Sequence, residues 1–401
     1  MTASAAPSAL PAPRPAVQAL VDETVALRRD LHCHAELSTE EHRTQGVIIE
    51  RLRALGLEDV RAIADTGATA LVRGGKPGPN LLWRADIDGL PLKEETGLGF
   101  ASEDEGAMHA CGHDGHVAIA LALADLLQRS RESLAGTVRF AFQPAEERIG
   151  GARRMIEAGV LEEPNVERVF GLHILSDYPV GHVRVAPGPV FAAATHFRII
   201  VRGSGGHASA PQATVDPIVV AAHAIVGLQT VVSRSVHPQE TAVLTVGRIE
   251  GGKRGNIIPE EVMMSGSIRT FEPRVLDRVL DRMDDILRGV ALAFGADYQF
   301  DHSTLPAVVN DADCAALVAE AAAAFLGPER LGEARLTGAD DMAYFLEARP
   351  GAYFFLGGGN PAKGISHPHH HPKFDFDEAC LPLGIELALR VIEEASGATL
   401  S

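Results

Sequence analysis

The nine residues Met108–His116 combine side chains that bind metal ions with glycines that let the backbone turn tightly. They read Met-His-Ala-Cys-Gly-His-Asp-Gly-His, so one thiol, three imidazoles and one carboxylate lie close together. Such a mixture suits a borderline-soft divalent cation. Without a metal, the cysteine would be buried and a histidine would cap the helix that follows. We predict a metal site, with Cys111 and His113 on one side of an extended segment.

Further ligand candidates follow predicted strands. Glu146 and Glu147 come after the strand Thr137–Phe142. Two adjacent carboxylates repel each other. The repulsion would be relieved if one carboxylate bound a metal ion and the other accepted a proton during catalysis. The alternative is a solvated acidic loop before a helix. His173 ends the strand Val166–Leu172, where a structural histidine is the alternative. A further ligand could come from the late histidines, and their spacing alone does not indicate which one: His367, His369, His370 or His371.

Composition excludes several classes of protein. A net charge of −17 argues against nucleic-acid binding, which needs a basic surface. Four widely spaced cysteines do not form a disulfide framework, so we expect a reducing, cytoplasmic location. We find no apolar run of membrane-spanning length and expect no membrane association. The Ala- and Pro-rich residues 1–16 lack the features of a secretory signal and are predicted to be a disordered tail.

The order of predicted elements indicates an α/β protein with two domains. Strands alternate with helices at both ends of the chain, which predicts a largely parallel sheet covered on both faces. Residues 187–305 follow a β-α-β-β-α-β order, the ferredoxin-like split pattern. We therefore expect a catalytic domain formed by residues 17–186 and 306–401, and an inserted α+β domain at 187–305.

Several segments together resemble the amidohydrolase branch of a dinuclear metallopeptidase family, which includes hippurate hydrolase, N-acyl-amino-acid amidohydrolases and plant auxin-conjugate hydrolases. The resemblance extends from about Arg28 to the C-terminus. It implies a three-layer αβα, zinc-peptidase-like catalytic domain with an inserted ferredoxin-like lid and dimerisation domain. The segments that carry it are Arg28–His32, Leu82–Pro91, Met108–His116, Phe142–Glu147, Gly171–His173, Gly205–Ser209, Asn256–Pro259 and Pro372–Phe376.

The resemblance also implies roles for single residues. Relatives place their late ligand two residues before a proline, which here selects His370. Two divalent ions (Mn, Zn, Ni or Co) would be held with Cys111 as the bridge, and Glu146 would be the general base. The implied metal ligands are Cys111, His113, Glu147, His173 and His370.

The inserted domain would supply further groups. His207 would contribute to the oxyanion site, and Asn256 and Arg269 would bind a substrate carboxylate, for which the planar guanidinium of Arg269 is suited. A surface charge at the end of a strand is an equally good interpretation of Arg269. Relatives associate through this domain, so we expect a homodimer or homotetramer.

The predicted function is hydrolysis of the amide bond of a small-molecule N-acyl amino acid by metal-activated water. A metallopeptidase that cleaves small dipeptides is the nearest alternative, because it would use the same metal centre. A catalytically inactive binding protein is a further alternative. The presence of Glu146 beside the complete ligand set disfavours it.

Overall fold

The computed structural model describes residues 10–148 and 150–400, which form two compact units. The first unit runs to Val190 and also contains Val309–Ala334 and the chain from Asp340 onward. The second unit comprises Phe191–Val308 and the short segment Arg335–Ala339. The insertion predicted at 187–305 overlaps the second unit, whereas no sequence pattern indicated the segment at 335–339.

A mixed sheet forms the centre of the first unit. Its strands are β1 (Glu58–Ile63), β2 (Gly67–Arg73), β3 (Lys76–Asp86), β4 (Ala135–Gln143), β5 (Arg168–Pro179), β6 (Val183–Arg184), β15 (Leu331–Gly332) and β16 (Gly351–Gly359). Their spatial order is β1-β2-β4-β3-β5-β16-β6-β15. The central pairs β4–β3, β3–β5 and β5–β16 are parallel, as predicted, and β1 and β2 add an antiparallel edge.

Helices cover both faces of this sheet. They are α1 (Pro15–Gln18), α2 (Val21–Cys33), α3 (His42–Ala54), α4 (His113–Arg129), α5 (Gly151–Glu157), α8 (Ala312–Leu326), α9 (Met342–Ala348) and α10 (Cys380–Ser396). Alternate residues of a strand point to opposite faces. Leu81 and Trp83 pack in the large core with α4 and α10, while Arg84 reaches Asp340 and Asp341 ahead of α9. The predicted three-layer αβα fold is confirmed.

The second unit has the predicted β-α-β-β-α-β order. Its main elements are β8 (Ala193–Arg202), α6 (Pro217–Ser235), β10 (Ala242–Gly251), β12 (Glu261–Thr270), α7 (Pro273–Phe294) and β13 (Asp297–Leu305). The strands form an antiparallel sheet in the order β10-β12-β8-β13. The helices pack on it through a core that includes Val220, Leu228, Val279 and Met283.

Four short strands and three short 3-10 helices (Pro211–Ala213, Pro328–Arg330 and Pro361–Lys363) remain among the described residues. The strands are β7 (Gly188–Phe191), β9 (Gly206–His207), β11 (Ile257–Ile258) and β14 (Val308–Asn310). Strand β9 pairs with β11 in a two-stranded ribbon, and β7 pairs with β14 in another.

Two expectations need correction. Part of the predicted tail, residues 1–9, lies outside the described residues. In the described part, Arg14 Nη2 lies 3.0 Å from Glu386 and 2.8 Å from Glu393, so two carboxylates of α10 hold the chain before the predicted start of the catalytic domain at Val17.

The second correction concerns the expectation that no apolar run reaches the length of a membrane span. Within the described residues, α6 is long and apolar enough to cross a membrane by length and composition, although its inner side packs in the core of the second unit.

Candidate metal centre

The ends of neighbouring parallel strands bring the predicted site residues of the first unit to one edge of the sheet. Glu146 and Glu147 lie three and four residues after the end of β4, and Asp88 lies two residues after the end of β3. His173 lies on β5, which continues beyond Leu172, where the prediction ended the strand. Because the carboxyl ends of adjacent parallel strands meet at the same edge, residues distant in sequence converge here.

The segment that carries Cys111 and His113 is a turn into a helix, not the extended segment that the spacing indicated. His113 is the first residue of α4, and Gly112 before it has a left-handed φ of 84°. Glycine adopts that conformation without a steric penalty. The turn still brings the ligand atoms of Cys111 and His113 within 4.8 Å of each other.

Two groups of ligand atoms share the thiol of Cys111. One contains Cys111, His113 and His173, and the other contains Cys111, Glu147 and His370; within each group the atoms lie within 4.8 Å of one another. Cys111 Sγ is 3.5 Å from His173 Nε2, and Glu147 Oε1 is 3.3 Å from His370 Nε2. The structure thus brings all five candidate ligands together, with the thiol common to both groups.

Hydrogen bonds at the far ring nitrogen orient two of these imidazoles. His113 Nδ1–H donates to the carbonyl of Asp88 at 2.9 Å, and His173 Nδ1–H donates to the carbonyl of Ile174 at 2.8 Å. A carbonyl accepts only, so each ring is protonated at Nδ1. In the neutral ring the lone pair of Nε2 then points toward the cluster, as in many metal-binding histidines.

His370 is the late histidine that faces Glu147. Its backbone N–H donates to the carbonyl of Ala110 at 2.9 Å, which attaches the late loop to the Cys111 segment. Its φ is 64°, an unusual conformation for a residue with a Cβ. Strained backbone of this kind is often found at functional sites.

The other late histidines are engaged elsewhere. His369 Nε2–H donates to the carbonyl of Ile174 at 2.9 Å, and burial lowers its pKa to about 4. The rings of His367 and His371 stack on each other with centroids 4.4 Å apart. The contacts of the described residues therefore distinguish four histidines that spacing leaves equivalent.

His116 and His109 lie close to the centre but outside both groups. His116 Nδ1 lies 2.5 Å from Asp86 Oδ1, and its Nε2 accepts from the backbone N–H of Ile174 at 2.9 Å, so both nitrogens are used within the protein. His109 is buried, and neither ring nitrogen has a hydrogen-bond partner among the described residues. Neither residue belongs to the two groups that share Cys111.

Unpaired buried atoms show that the centre fits metal ions. His113 Nε2 and Glu147 Oε1 are buried and have no hydrogen-bond partner within residues 10–148 and 150–400. A buried polar atom without a partner costs about 1–3 kcal/mol. They face each other across 4.0 Å, beside a thiol. Sulfur, nitrogen and oxygen donors in this arrangement suit two borderline divalent cations.

The electrostatics of the centre favour a positive charge. Burial, together with Glu147, Glu146 and Asp86, raises the pKa of the Cys111 thiol well above its ordinary value. Burial disfavours the charged form of His113, but nearby carboxylates, Asp86 foremost, outweigh it and raise its pKa to about 10. A proton or a metal ion relieves the same excess of negative charge.

Glu146 lies beside the ligands and is itself buried. One of its oxygens lies within 4.8 Å of the ligand atoms of both His113 and Glu147. Burial, with the carboxylates of Asp340 and Glu147, raises its pKa well above the ordinary value for glutamate. Such a carboxylate is a stronger base than an exposed one, which suits proton transfer.

Sequence reasoning missed the acidic pair Asp340 and Asp341, which lies against Glu146. Asp341 accepts from Gln143 Nε2 at 2.6 Å and from the backbone N–H of Gly150 at 3.1 Å. Burial raises the pKa of Asp341 to about 7 despite the nearby Arg84. Two adjacent acids are visible in the sequence, but they look like an ordinary helix start.

The predicted residues of the second unit lie on its ribbon and its sheet. His207 on β9 is exposed and pairs in register with Ile257, and the carbonyl of Asn256 accepts from the backbone N–H of Ala208 at 3.2 Å. The ribbon therefore brings His207 and Asn256 together. Arg269 lies on β12, where Nη1 is buried and has no hydrogen-bond partner among the described residues.

A buried arginine fastens the Cys111 segment to the rest of the first unit. Arg28 on α2 lies 2.9 Å from Asp114, 2.9 Å from Asp375 and 3.3 Å from Glu378. Asp114 follows His113 directly, and Asp375 lies five residues after His370. One guanidinium thus links two segments that carry metal-ligand candidates.

Replacing this arginine is expected to destabilise the fold. Arg28→Met leaves the buried carboxylate of Asp114 without its cation, so we expect the free energy of unfolding to fall by about 3–5 kcal/mol. Arg29→Met is the matched control, because Arg29 is exposed and pairs with Glu378 at the surface, and it should cost no more than about 1 kcal/mol. Urea unfolding measures both. Equal losses in the two variants would contradict the assigned importance of Arg28.

Comparisons with known proteins agree with this geometry. Residues 82–394 match the model of peptidase family M20/M25/M40. The chain is 40% identical to N-acetylcysteine deacetylase of Bacillus subtilis (92% of this chain, 97% of that protein) and 38% identical to thermostable carboxypeptidase 1 of Saccharolobus solfataricus (92% and 94%). The solved structure of a dinuclear metal binding peptidase of Bacillus subtilis from the M20 family superposes with a TM-score of 0.82 at 35% identity (94% and 98%).

Proposed function

The chain belongs to peptidase family M20/M25/M40, and from that membership we infer that it is a metal-dependent amidohydrolase of N-acylated amino acids. The observation that carries this function is the pair of three-ligand groups that share Cys111, with Glu146 beside them. A relative at 40% identity that is named a deacetylase of an N-acylated amino acid supports the substrate class.

We propose that Cys111, His113, Glu147, His173 and His370 hold two divalent ions, for which Mn, Zn, Ni and Co are all suitable. When bound, such ions lower the pKa of a water molecule and polarise the carbonyl of the scissile amide. Glu146 takes a proton from the attacking water, whose oxygen bonds to the carbonyl carbon. Glu146 then returns that proton to the amide nitrogen as the carbon–nitrogen bond breaks, which yields a carboxylic acid and a free amino acid.

Groups of the second unit are proposed to bind the substrate. Arg269 has a buried N–H without a partner among the described residues, and burial lowers its pKa. A substrate carboxylate would satisfy this guanidinium with two parallel hydrogen bonds. Asn256 is proposed to assist it, and His207 is proposed to stabilise the oxyanion as the carbonyl is attacked.

The experiment that tests this function combines a substrate panel with metal removal. N-acetyl, N-benzoyl and indole-acyl amino acids are assayed for released amine, and each is compared with its C-terminal amide, which lacks the carboxylate. We expect turnover of at least one acid, weaker turnover of its amide, loss after chelation, and recovery with Mn²⁺, Co²⁺, Ni²⁺ or Zn²⁺. Full turnover after chelation would overturn the metal mechanism.

A peptidase of small dipeptides is the second candidate, because a relative at 38% identity is named a carboxypeptidase. The same metal centre serves both reactions, so the assay must separate them. Dipeptides with a free N-terminus are added to the panel as alternative substrates. Faster cleavage of these dipeptides than of every N-acyl amino acid would favour the peptidase.

We also propose that the protein forms a homodimer or homotetramer through its second unit. The outer side of α6 exposes Ile218, Val219 and Val226, the last with 71% of its surface accessible. Strand β10 lies at the edge of the four-stranded sheet. An apolar stripe beside an open sheet edge is well suited to a second copy of the same surface.

A charge on this stripe is expected to separate the subunits. Val226→Asp places a carboxylate in the proposed contact, so we expect light scattering to show a monomer. Gln299→Asp, on β13 at the opposite edge of the sheet, is the control and should keep the wild-type mass. A wild-type protein that is monomeric at all concentrations would overturn the proposal.

The proposed location is the cytoplasm, which agrees with the absence of disulfides among the four cysteines.

A further inference from the structure

The segment between β4 and α5 carries the proposed base, and carboxylates from other parts of the chain hold its backbone. Glu41 Oε1 accepts from the backbone N–H of Ala145 at 2.8 Å. Asp88 Oδ2 accepts from the backbone N–H of Glu147 at 3.0 Å. Glu146 lies between these two anchored residues. Its position therefore depends on backbone contacts on each side.

The anchored residue before Glu146 has an unusual conformation. Ala145 has a φ of 50°, in the left-handed region that residues with a Cβ rarely adopt. It is 2% exposed, so its N–H depends on protein partners. A conformation of this kind persists where surrounding contacts hold it. The contact available to the N–H of Ala145 is the carboxylate of Glu41.

The side chain of Glu41 is committed to this contact. It is fully buried, and although Glu41 occupies the N-cap position of α3, its side chain makes no capping bond to that helix. Its second oxygen accepts from the hydroxyl of Thr66, which is also buried. Both oxygens thus have donors from segments distant in sequence.

We propose that Glu41 is a positioning residue for Glu146, because it holds Ala145 in the left-handed conformation that directs the next side chain into the centre. This inference rests on the proposed function, in which Glu146 moves the proton. A displacement of about 1 Å of a catalytic group costs about 10²-fold in rate. Loss of the Glu41 contact therefore affects the chemical step more than substrate binding.

The kinetic test compares three variants. Glu41→Ala should lower kcat by about 10²-fold with KM changed less than about threefold. Glu41→Gln keeps an acceptor for Ala145 N–H and offers a donor to the Thr66 hydroxyl, so it should stay within about threefold of wild type in both constants. Glu40→Ala removes an exposed neighbour and is the matched control.

A second readout does not depend on turnover. Hydrogen exchange of peptides that span residues 143–150 is measured in the metal-free protein. The amide of Ala145 should exchange at least about tenfold faster in Glu41→Ala than in wild type or Glu41→Gln. If the wild-type protein cleaves no N-acyl amino acid, the proposed function fails, whereas this exchange measurement still tests the contact of Glu41.

A rescue experiment tests the backbone explanation. Glycine adopts a φ near 50° freely, so Ala145→Gly added to Glu41→Ala should recover kcat at least about fivefold. Unchanged kcat or unchanged exchange in Glu41→Ala, or no recovery by the glycine, overturns the proposal. If Glu41→Ala does not fold, Glu41→Asp replaces it, because the shorter side chain keeps the charge but loses reach to Ala145, and the same losses are expected.

Discussion

Glu146→Gln is expected to lower kcat by about 10³-fold, because glutamine has the same shape as glutamate but does not accept the proton of the attacking water. The buried carboxylate lies next to both His113 and Glu147, where a water molecule held at the centre would be within its reach. Metal content should remain at two ions per chain, because neither ligand group around Cys111 includes Glu146. Steady-state kinetics and metal analysis of the same preparation measure both quantities.

Glu157→Gln is the matched control for this variant. Glu157 is an exposed residue of α5, so the same chemical change there should leave kcat unchanged. A Glu146→Gln protein with full turnover would show that another group moves the proton. Loss of a metal ion in that variant would instead make Glu146 a ligand, since it also lies within 4.8 Å of ligand atoms.

Cys111→Ser is expected to lose both metal ions and activity together. The thiol is common to both ligand groups, and a serine hydroxyl remains protonated and is a poor replacement for a thiolate. We expect metal content after dialysis to fall from two ions per chain toward zero, with kcat/KM lowered by at least about 10²-fold. Elemental analysis and the amine-release assay measure the two effects.

Cys33→Ser is the control for the cysteine variant. Cys33 is partly buried, its thiol donates to the carbonyl of Phe100, and a serine hydroxyl keeps that contact. It should therefore retain both ions and wild-type turnover. If Cys111→Ser keeps one ion, the thiol is a ligand in only one of the two groups. If it keeps both ions, Cys111 is not the ligand that the two groups share.

Patterns of short range explain why much of the fold was predictable. Strands that alternate with helices, followed by the β-α-β-β-α-β order, depend on hydrophobic spacing within each segment, which the sequence shows directly. Some elements were therefore predicted close to their bounds, as for the strand predicted at Thr137–Phe142 and observed as β4 (Ala135–Gln143). The Cys111 segment was predicted to be extended and is a turn, because the left-handed φ of Gly112 is a local feature that hydrophobic periodicity does not show.

Contacts between distant segments were outside the reach of such patterns. Glu41 and Ala145 are 104 residues apart, and Arg28 and Asp375 are 347 apart. Nothing in the spacing around Glu41 distinguishes it from the exposed Glu40 beside it. Their partners depend on which strands become neighbours in the sheet. Pairing of that kind is a property of the whole chain.

The sequence by itself determined the chemistry available to this protein: a thiol, imidazoles and carboxylates in motifs that resemble those of a dinuclear amidohydrolase. The sequence gives the type and order of every residue, so a set of ligand side chains is recognisable before any fold is known. The tertiary structure decided which of these groups face one another. It placed His370 rather than its neighbours opposite Glu147, and the thiol of Cys111 in both ligand groups. The parallel order of β4, β3 and β5 brings segments from distant parts of the chain to one edge of the sheet. The bond from the backbone N–H of His370 to the carbonyl of Ala110 then attaches the late loop there.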